Sequence, residues 1–187
     1  MSLPAFPELK TERLILRELA HADASAMAAM HRDHDAMRHW GAAPLDTEAT
    51  AHDFIARCRA GWQYGPPVFR WALESRSGGT MLGTCGLFNW DPRWHRCTLG
   101  YELARSAWQQ GYMREALVAV LGWAFQTQGI HRVDALIHPD NAASLRLAQY
   151  LGFRIEGRLR EAAFWDNRFH DMALLGLLAS ELRVFPN

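Results

Sequence analysis

Between residues 113 and 124 the apolar side chains Met113, Ala116, Leu117, Val120, Leu121 and Ala124 recur at intervals of three and four, the spacing that lines one face of an α-helix. The pattern predicts a helix that begins at Gly111 and stops at Gly129. Elsewhere the period shortens to two. "RLILREL" (13–19) reads as a first strand. "VFRWALES" (68–75), "TMLGTCGLFNW" (80–90) and "RCTLGYELA" (96–104) read as three more, joined through the turns "RSGG" and "DPRWH" into an antiparallel meander. Two alanine-rich stretches, 21–40 and 45–62, predict helices. Asp23 or Ser25 would cap the first; Asp46 or Thr47 would cap the second, with Glu48 in its first turn and Gly61 as its stop. The aromatic, Pro-containing "WQYGPPVF" (62–69) predicts a loop. After the long helix, "RVDALIH" (132–138) is a short strand closed by Pro139. "DNAASLRLAQYLGF" is a helix capped by Asp140 or Asn141 and ended by Gly152, and 154–178 holds two strands around "WDNR". The order β-α-α-β-β-β-α-β-α-β-β describes a mixed α/β sheet in a single domain, 1–187, with one parallel crossover through the long helix.

Composition narrows the function. The 187 residues are 49% hydrophobic with eight Trp, enough for a packed core, and 20 Lys+Arg balance 20 Asp+Glu. A neutral chain carries no electrostatic footprint for nucleic acid. Cys58, Cys85 and Cys97 show no C-x-x-C spacing and are expected to be reduced and mostly buried; Cys85 lacks a histidine at a motif spacing and reads as a strand cysteine rather than an acyl carrier. His31 and His34 of "HRDHD" stand one helical turn apart without a matching third ligand, so no metal site is expected. No run of 18 apolar residues occurs, and "MSLPAFPELKTERL" lacks the basic start and apolar centre of a signal peptide. A cytoplasmic protein without a membrane partner is the expectation.

The stretch "WQQGYMREAL" (108–117) sets a glycine at the start of the long helix. A helix start presents unpaired N–H groups with roughly half a positive charge, and glycine permits φ > 0 or close approach of a ligand. An anion site and a plain loop glycine are both consistent with that. Neither the Gly-Lys-Ser/Thr of a Walker A loop nor the G-x-G-x-x-G of a dinucleotide fold is present.

"LGYELARSAWQQGYMREAL" followed by "HPDNAASLRLAQYLGFRIEG" resembles the acetyl-CoA site of the GNAT N-acetyltransferase superfamily, in particular the branch of ribosomal-protein N-terminal alanine acetyltransferases. "TERLILREL" and "REAAFWDNRFHDMALLGLL" are similar to that branch as well. The resemblance implies a GNAT-like fold whose central parallel strands splay. It also implies acetyl-CoA as co-substrate, its pyrophosphate held by main-chain N–H groups of Gln109, Gln110, Gly111, Tyr112, Met113 and Arg114. The pantetheine arm would pair with the main chain of Tyr101, Glu102, Leu103 and Ala104, and Asn141 and Ser144 would face the sulfur end. Two departures from the family pattern stand out. The loop has Gln109 and Met113 where relatives carry smaller residues, and Ala148 occupies the position of a proton-donating tyrosine.

The same resemblance implies direct attack of a primary amine on the thioester in a ternary complex. Glu102 is the candidate base, through a water, its pKa raised by partial desolvation. Ser144 would protonate or position the sulfur, with Tyr101 and Tyr150 as further candidates, and the N–H near Leu103 would polarise the carbonyl. Trp62, Tyr64, Phe88, Trp90 and Trp165 are candidates for the acceptor cleft, His138 for a group approaching the substrate, and Asp171 for a contact with a cationic amine. The expected acceptor is a protein N-terminal α-amine. A small amine (amino sugar, polyamine or antibiotic) is the alternative, and a non-catalytic acyl-CoA sensor a third reading; a monomer or homodimer is expected.

Overall fold

The computed structural model describes residues 5–64 and 67–183, so residues 1–4 and positions 65 and 66 of the expected loop lie outside it. Eight strands form one sheet among the described residues. In chain order they are β1 (Leu9–Lys10), β2 (Leu14–Glu18), β3 (Phe69–Ser75), β4 (Met81–Asp91), β5 (Arg96–Leu103), β6 (Arg132–Ile137), β7 (Arg154–Trp165) and β8 (Arg168–Leu178). Their spatial order is β1-β2-β3-β4-β5-β6-β8-β7. Only β5 and β6 run parallel. The helices are α1 (Ala24–His31), α2 (His34–Met37), α3 (Glu48–Tyr64), α4 (Tyr112–Thr127) and α5 (Ala142–Leu151). The mixed α/β architecture is the one the periodicity predicts.

Strand alternation divides the sheet into two faces. Leu14, Leu16, Trp71, Leu73 and Leu87 pack with Leu117, Val120 and Leu121 of α4 in the larger core. Ala72, on the opposite face, packs with Ala24, Met27, Ala28, Ala51 and Ile55 of α1 and α3 in a second, smaller core. All six apolar positions that predicted α4 are buried.

The feature that makes a site is a failure of pairing. β5 and β6 are in register from Arg96↔Arg132 to Leu99↔Ala135 and no further. Beyond that point β5 stays bonded to β4 and β6 to β8, so the two central strands part.

Three local expectations change. The helix expected over 21–40 is broken into a 3-10 turn (His21–Asp23), α1 and α2; the Asp33 carboxylate accepts the Ala36 N–H at 3.1 Å and restarts the chain as α2. α3 runs past Gly61 to Tyr64, because Gly61 lies under Val68, where a Cβ would meet the valine Cβ at 3.1 Å. β1 is two residues long and leaves no alternation to read. By contrast, Asn141 caps α5 by accepting the Ser144 N–H, and Asp166 and Asn167 (φ 50 and 57) form the two-residue turn inside "WDNR". No described helix is long and apolar enough to cross a membrane.

α5 ends at Gly152 with φ 109, where a Cβ would lie 2.4 Å from the Glu181 carbonyl oxygen. Gly152→Ala is therefore expected to lower stability by roughly 2 kcal/mol or more, read as a lower urea midpoint with an unchanged slope.

Candidate functional site

The gap between β5 and β6 is lined by main chain. Ala104 donates its N–H to the Leu82 carbonyl at 2.8 Å, and residues opposed across β4 and β5 alternate in bonding. Glu102 and Ala104 thus turn their main-chain groups toward β4, and Tyr101 and Leu103 turn theirs into the gap. Of the expected edge, Tyr101 and Leu103 face the opening and Ala104 does not. The indole Nε1 of Trp108 donates to the Leu103 carbonyl at 2.8 Å.

At the end of this edge the chain turns into α4. Gly111, the N-cap, sits at φ 80, and Gln109 is also left-handed at φ 58. The first N–H groups of α4 point outward without helical partners. Two guanidinium groups flank them: Nη2 of Arg13 and of Arg114 lie 3.4 and 3.8 Å from where a Cβ on Gly111 would stand. Arg13 also donates to the Gln110 carbonyl at 2.9 Å, donates from Nε to Glu115 at 2.7 Å, and lies 4.5 Å above the Tyr112 ring. This is a concave cationic end of a helix, suited to an anion. Met113 contributes only its main chain, since its side chain is in the core. Arg13 is not legible in the sequence as part of this site because it lies in the bend just before β2 and nothing local ties it to the loop.

Glu102 is neither a surface residue nor a partly desolvated one. Its side chain is 3% exposed and faces α1, on the sheet face opposite α4. Oε1 accepts the Thr84 hydroxyl at 2.7 Å and Nη2 of Arg70 at 3.2 Å, and Arg70 Nε donates to Thr84 at 2.9 Å. Oε2 lies 3.1 Å from Nε2 of His31, within ion-pair reach but off the line of a full hydrogen bond. Burial pushes this carboxyl up, but the charge on Arg70, with His31 and Thr84, more than reverses it and holds the pKa below the usual value. The expected rise is thus corrected to a fall. His31 could have been found: Ala24, Met27, Ala28 and His31 share the i, i+3, i+4, i+7 face that α1 buries.

The other expected residues separate. The Tyr101 hydroxyl donates to the Ser144 carbonyl at 3.3 Å, which brings α5 against the gap; burial pushes its pKa up to about 12. The Asn141 side chain is engaged as the cap. Ala148 is buried, and Tyr150 lies under the Arg114 guanidinium at 5.6 Å. Phe88 covers Gly100 on the Glu102 face. Trp165 stacks on His170 at 3.5 Å, and His138 meets both edge-on while stacking on His39 at 4.7 Å. Trp90 is on the wrong face: a bulge after Phe88, with Asn89 at φ 52, turns it into the aromatic core of Phe69 and Trp123. Trp62 bonds Glu18, and Tyr64 is 80% exposed at the end of α3. Asp171 is bound by Arg158 and by the Glu161 N–H, which lower its pKa, so its carboxylate is already paired along the β7–β8 hairpin. Cys85 is fully buried and burial pushes its thiol up to about 12, removing it as a nucleophile.

Residues 13–154 match the family profile described as an Acetyltransferase (GNAT) domain. The chain is 31% identical to the N-acetyltransferase YoaA of Bacillus subtilis, covering 89% of this chain and 93% of the relative. It is 27% identical to the [Ribosomal protein uS5]-alanine N-acetyltransferase of Escherichia coli (90% and 89%), and 26% identical to the L-methionine sulfoximine/L-methionine sulfone acetyltransferase of Pseudomonas paraeruginosa (91% and 98%). Among solved structures, Mycobacterium smegmatis RimJ in complex with CoA-disulfide superposes with a TM-score of 0.81 at 21% identity, over 94% of this chain and 88% of that one.

Glu115 ties the cationic helix start together. Burial raises its carboxyl, but the Thr11 hydroxyl and the main chain and guanidinium of Arg13 outweigh that and leave the pKa lowered. A carboxyl depressed on folding adds stability above its unfolded value near 4.5 and loses it as pH falls through the lower folded value. Glu115→Gln is therefore expected to melt below the wild type at pH 7, with the difference fading below about pH 4, in thermal scans across pH.

Proposed function

Because the chain belongs to the GNAT acetyltransferase family, we propose that it moves the acetyl group of acetyl-CoA to a protein N-terminal α-amine. Members of the family use acetyl-CoA, whose thioester supplies a carbonyl open to attack by a neutral amine. One observation carries the reading. An inward-facing strand edge at Tyr101 and Leu103 leads directly into a helix start flanked by Arg13 and Arg114. An edge that can pair with amides, followed by an anion cradle, fits a molecule with an amide-bearing arm and a diphosphate.

The residues divide the work by the face they occupy. Main-chain N–H groups of Gln109 to Arg114, with the two guanidinium groups, hold the diphosphate. The Leu103 N–H, turned into the gap, donates to the carbonyl oxygen as charge grows on it. Tyr101 holds its proton at about 12, too tightly to serve a thiolate, so its hydroxyl fixes α5 and leaves the Ser144 hydroxyl to orient the sulfur. The acceptor comes from the opposite face, where Phe88, Trp165 and His138 lie and where the Glu102 cluster draws off its proton.

The relative from Escherichia coli, named for ribosomal protein uS5 alanine, supports a protein N-terminus. A second reading, a small amine with one amino group, is favoured by the relative from Pseudomonas paraeruginosa. Thiol release from acetyl-CoA over a panel of Ala- and Ser-initiated peptides, amino-acid analogues and polyamines decides between them. Faster turnover of peptides supports the first reading, turnover of analogues alone the second, and CoA binding without turnover on any amine overturns both. In the same assay Glu102→Gln is expected to lower kcat about 100-fold while acetyl-CoA affinity stays within about twofold, since Glu102 faces away from the cradle.

A further inference from the structure

Among the described residues, four buried side-chain polar atoms lack an aligned hydrogen-bond partner: Nδ1 and Nε2 of His31, Oε2 of Glu102 and Nε1 of Trp40. All four belong to one cluster. Nε2 of His31 is 3.1 Å from Oε2, and the Trp40 indole meets the His31 ring edge-on at 5.0 Å. Burying a polar atom without a partner is costly, so a group of them in one place calls for an explanation. The other half of the cluster is fully matched: Thr84 and Arg70 hold Oε1, and the Arg70 guanidinium lies 5.1 Å over the Trp40 ring.

A carboxylate with one oxygen anchored and the other against an imidazole fixes the tautomer of that imidazole. We propose that His31 is the proton acceptor for the amine and Glu102 its positioning residue: Oε2, 3.1 Å from Nε2 though not aligned with it, attracts the ring proton to that nitrogen by its charge, which leaves the Nδ1 lone pair to take the proton. The proposal rests on the acetyl-transfer reading and assigns its base. Trp40, half-buried, also lines an open cavity of about 400 Å³ with Pro44, Phe54 and Arg57, and its ring stands between that cavity and His31.

The step balances as follows. An N–H bond of the acceptor ammonium breaks, its electron pair stays on nitrogen, and a solvent molecule admitted beside Trp40 carries the proton to Nδ1, which is shielded from solvent in the resting structure, giving an imidazolium against the Glu102 carboxylate. The amine nitrogen bonds to the acetyl carbon, the C–S bond breaks with its pair on sulfur, and the second proton leaving nitrogen converts thiolate to thiol. After product release the imidazolium returns its proton to solvent. The other charged and titratable groups facing this pair are Arg70 from β3 and Cys58 from α3, whose thiol burial pushes up; β4 contributes the hydroxyl of Thr84.

The test is kcat and kcat/KM against pH for wild type, His31→Gln, Glu102→Gln and the double variant, on the best acceptor of the panel. His31→Gln keeps an N–H near Oε2 but cannot take a proton. It is expected to lower kcat about 100-fold, leave the acetyl-CoA KM within about twofold, and displace the acid limb of kcat/KM by about one pH unit or more. The double variant is expected to lie within about threefold of the poorer single one, as residues acting as a unit do. His31→Gln turning over within about threefold of wild type, or losses that multiply in the double variant, overturns the proposal. If His31→Gln does not fold, nitrogen-15 spectra of wild-type histidines decide: a neutral ring protonated on Nε2 supports it, and one protonated on Nδ1 overturns it. Absence of wild-type turnover on every amine instead sinks the acetyl-transfer reading, and the assignment of a base with it.

Discussion

Pairing between β5 and β6 stops after Leu99↔Ala135 although both strands continue. Each is held by its other neighbour. β5 follows β4, which approaches so closely that a Cβ at Gly83 would lie 2.3 Å from the Glu102 carbonyl oxygen; β6 follows β8 through Ile137↔Ala173. Two strands bound to diverging partners cannot stay bonded to each other. The opening exposes N–H and C=O groups inside a sheet, where an unmatched group is costly. A ligand with its own amides answers that deficit, and the Trp108 indole on Leu103 shows how readily this edge accepts a donor.

The parting also separates two chemistries by sheet face. Tyr101 points toward α5 and its burial keeps it neutral. Glu102, one residue later, points toward α1 and stays charged because Arg70 and Thr84 enclose it. Burying that charge without partners would cost several kcal/mol. Strand alternation thus sets a neutral side against a charged side within two residues.

How much of this was readable in the chain depends on distance in sequence. The buried face of α4, the left-handed start at Gly111 and the stop at Gly152 are local and were legible. Trp90 was misplaced because the bulge at Asn89 resets the alternation, and no residue type announces it. The raised pKa expected for Glu102 failed because Arg70 and His31 reach it from β3 and α1, and their charges outweigh burial. Arg13 escaped notice for the same reason, since its partner Glu115 lies 102 residues away.

That separation bears on how the protein comes into being. Arg13 emerges early in synthesis, and the carboxylate that orients it follows only after α1, α2, α3 and the meander have been made. Until Glu115 arrives, the arginine has no fixed direction and the helix start does not exist. A contact of such long sequence span carries a loop-closure cost that must be met before it stabilises anything. The oriented guanidinium is in effect a signature that the first strands have met the long helix from mid-chain.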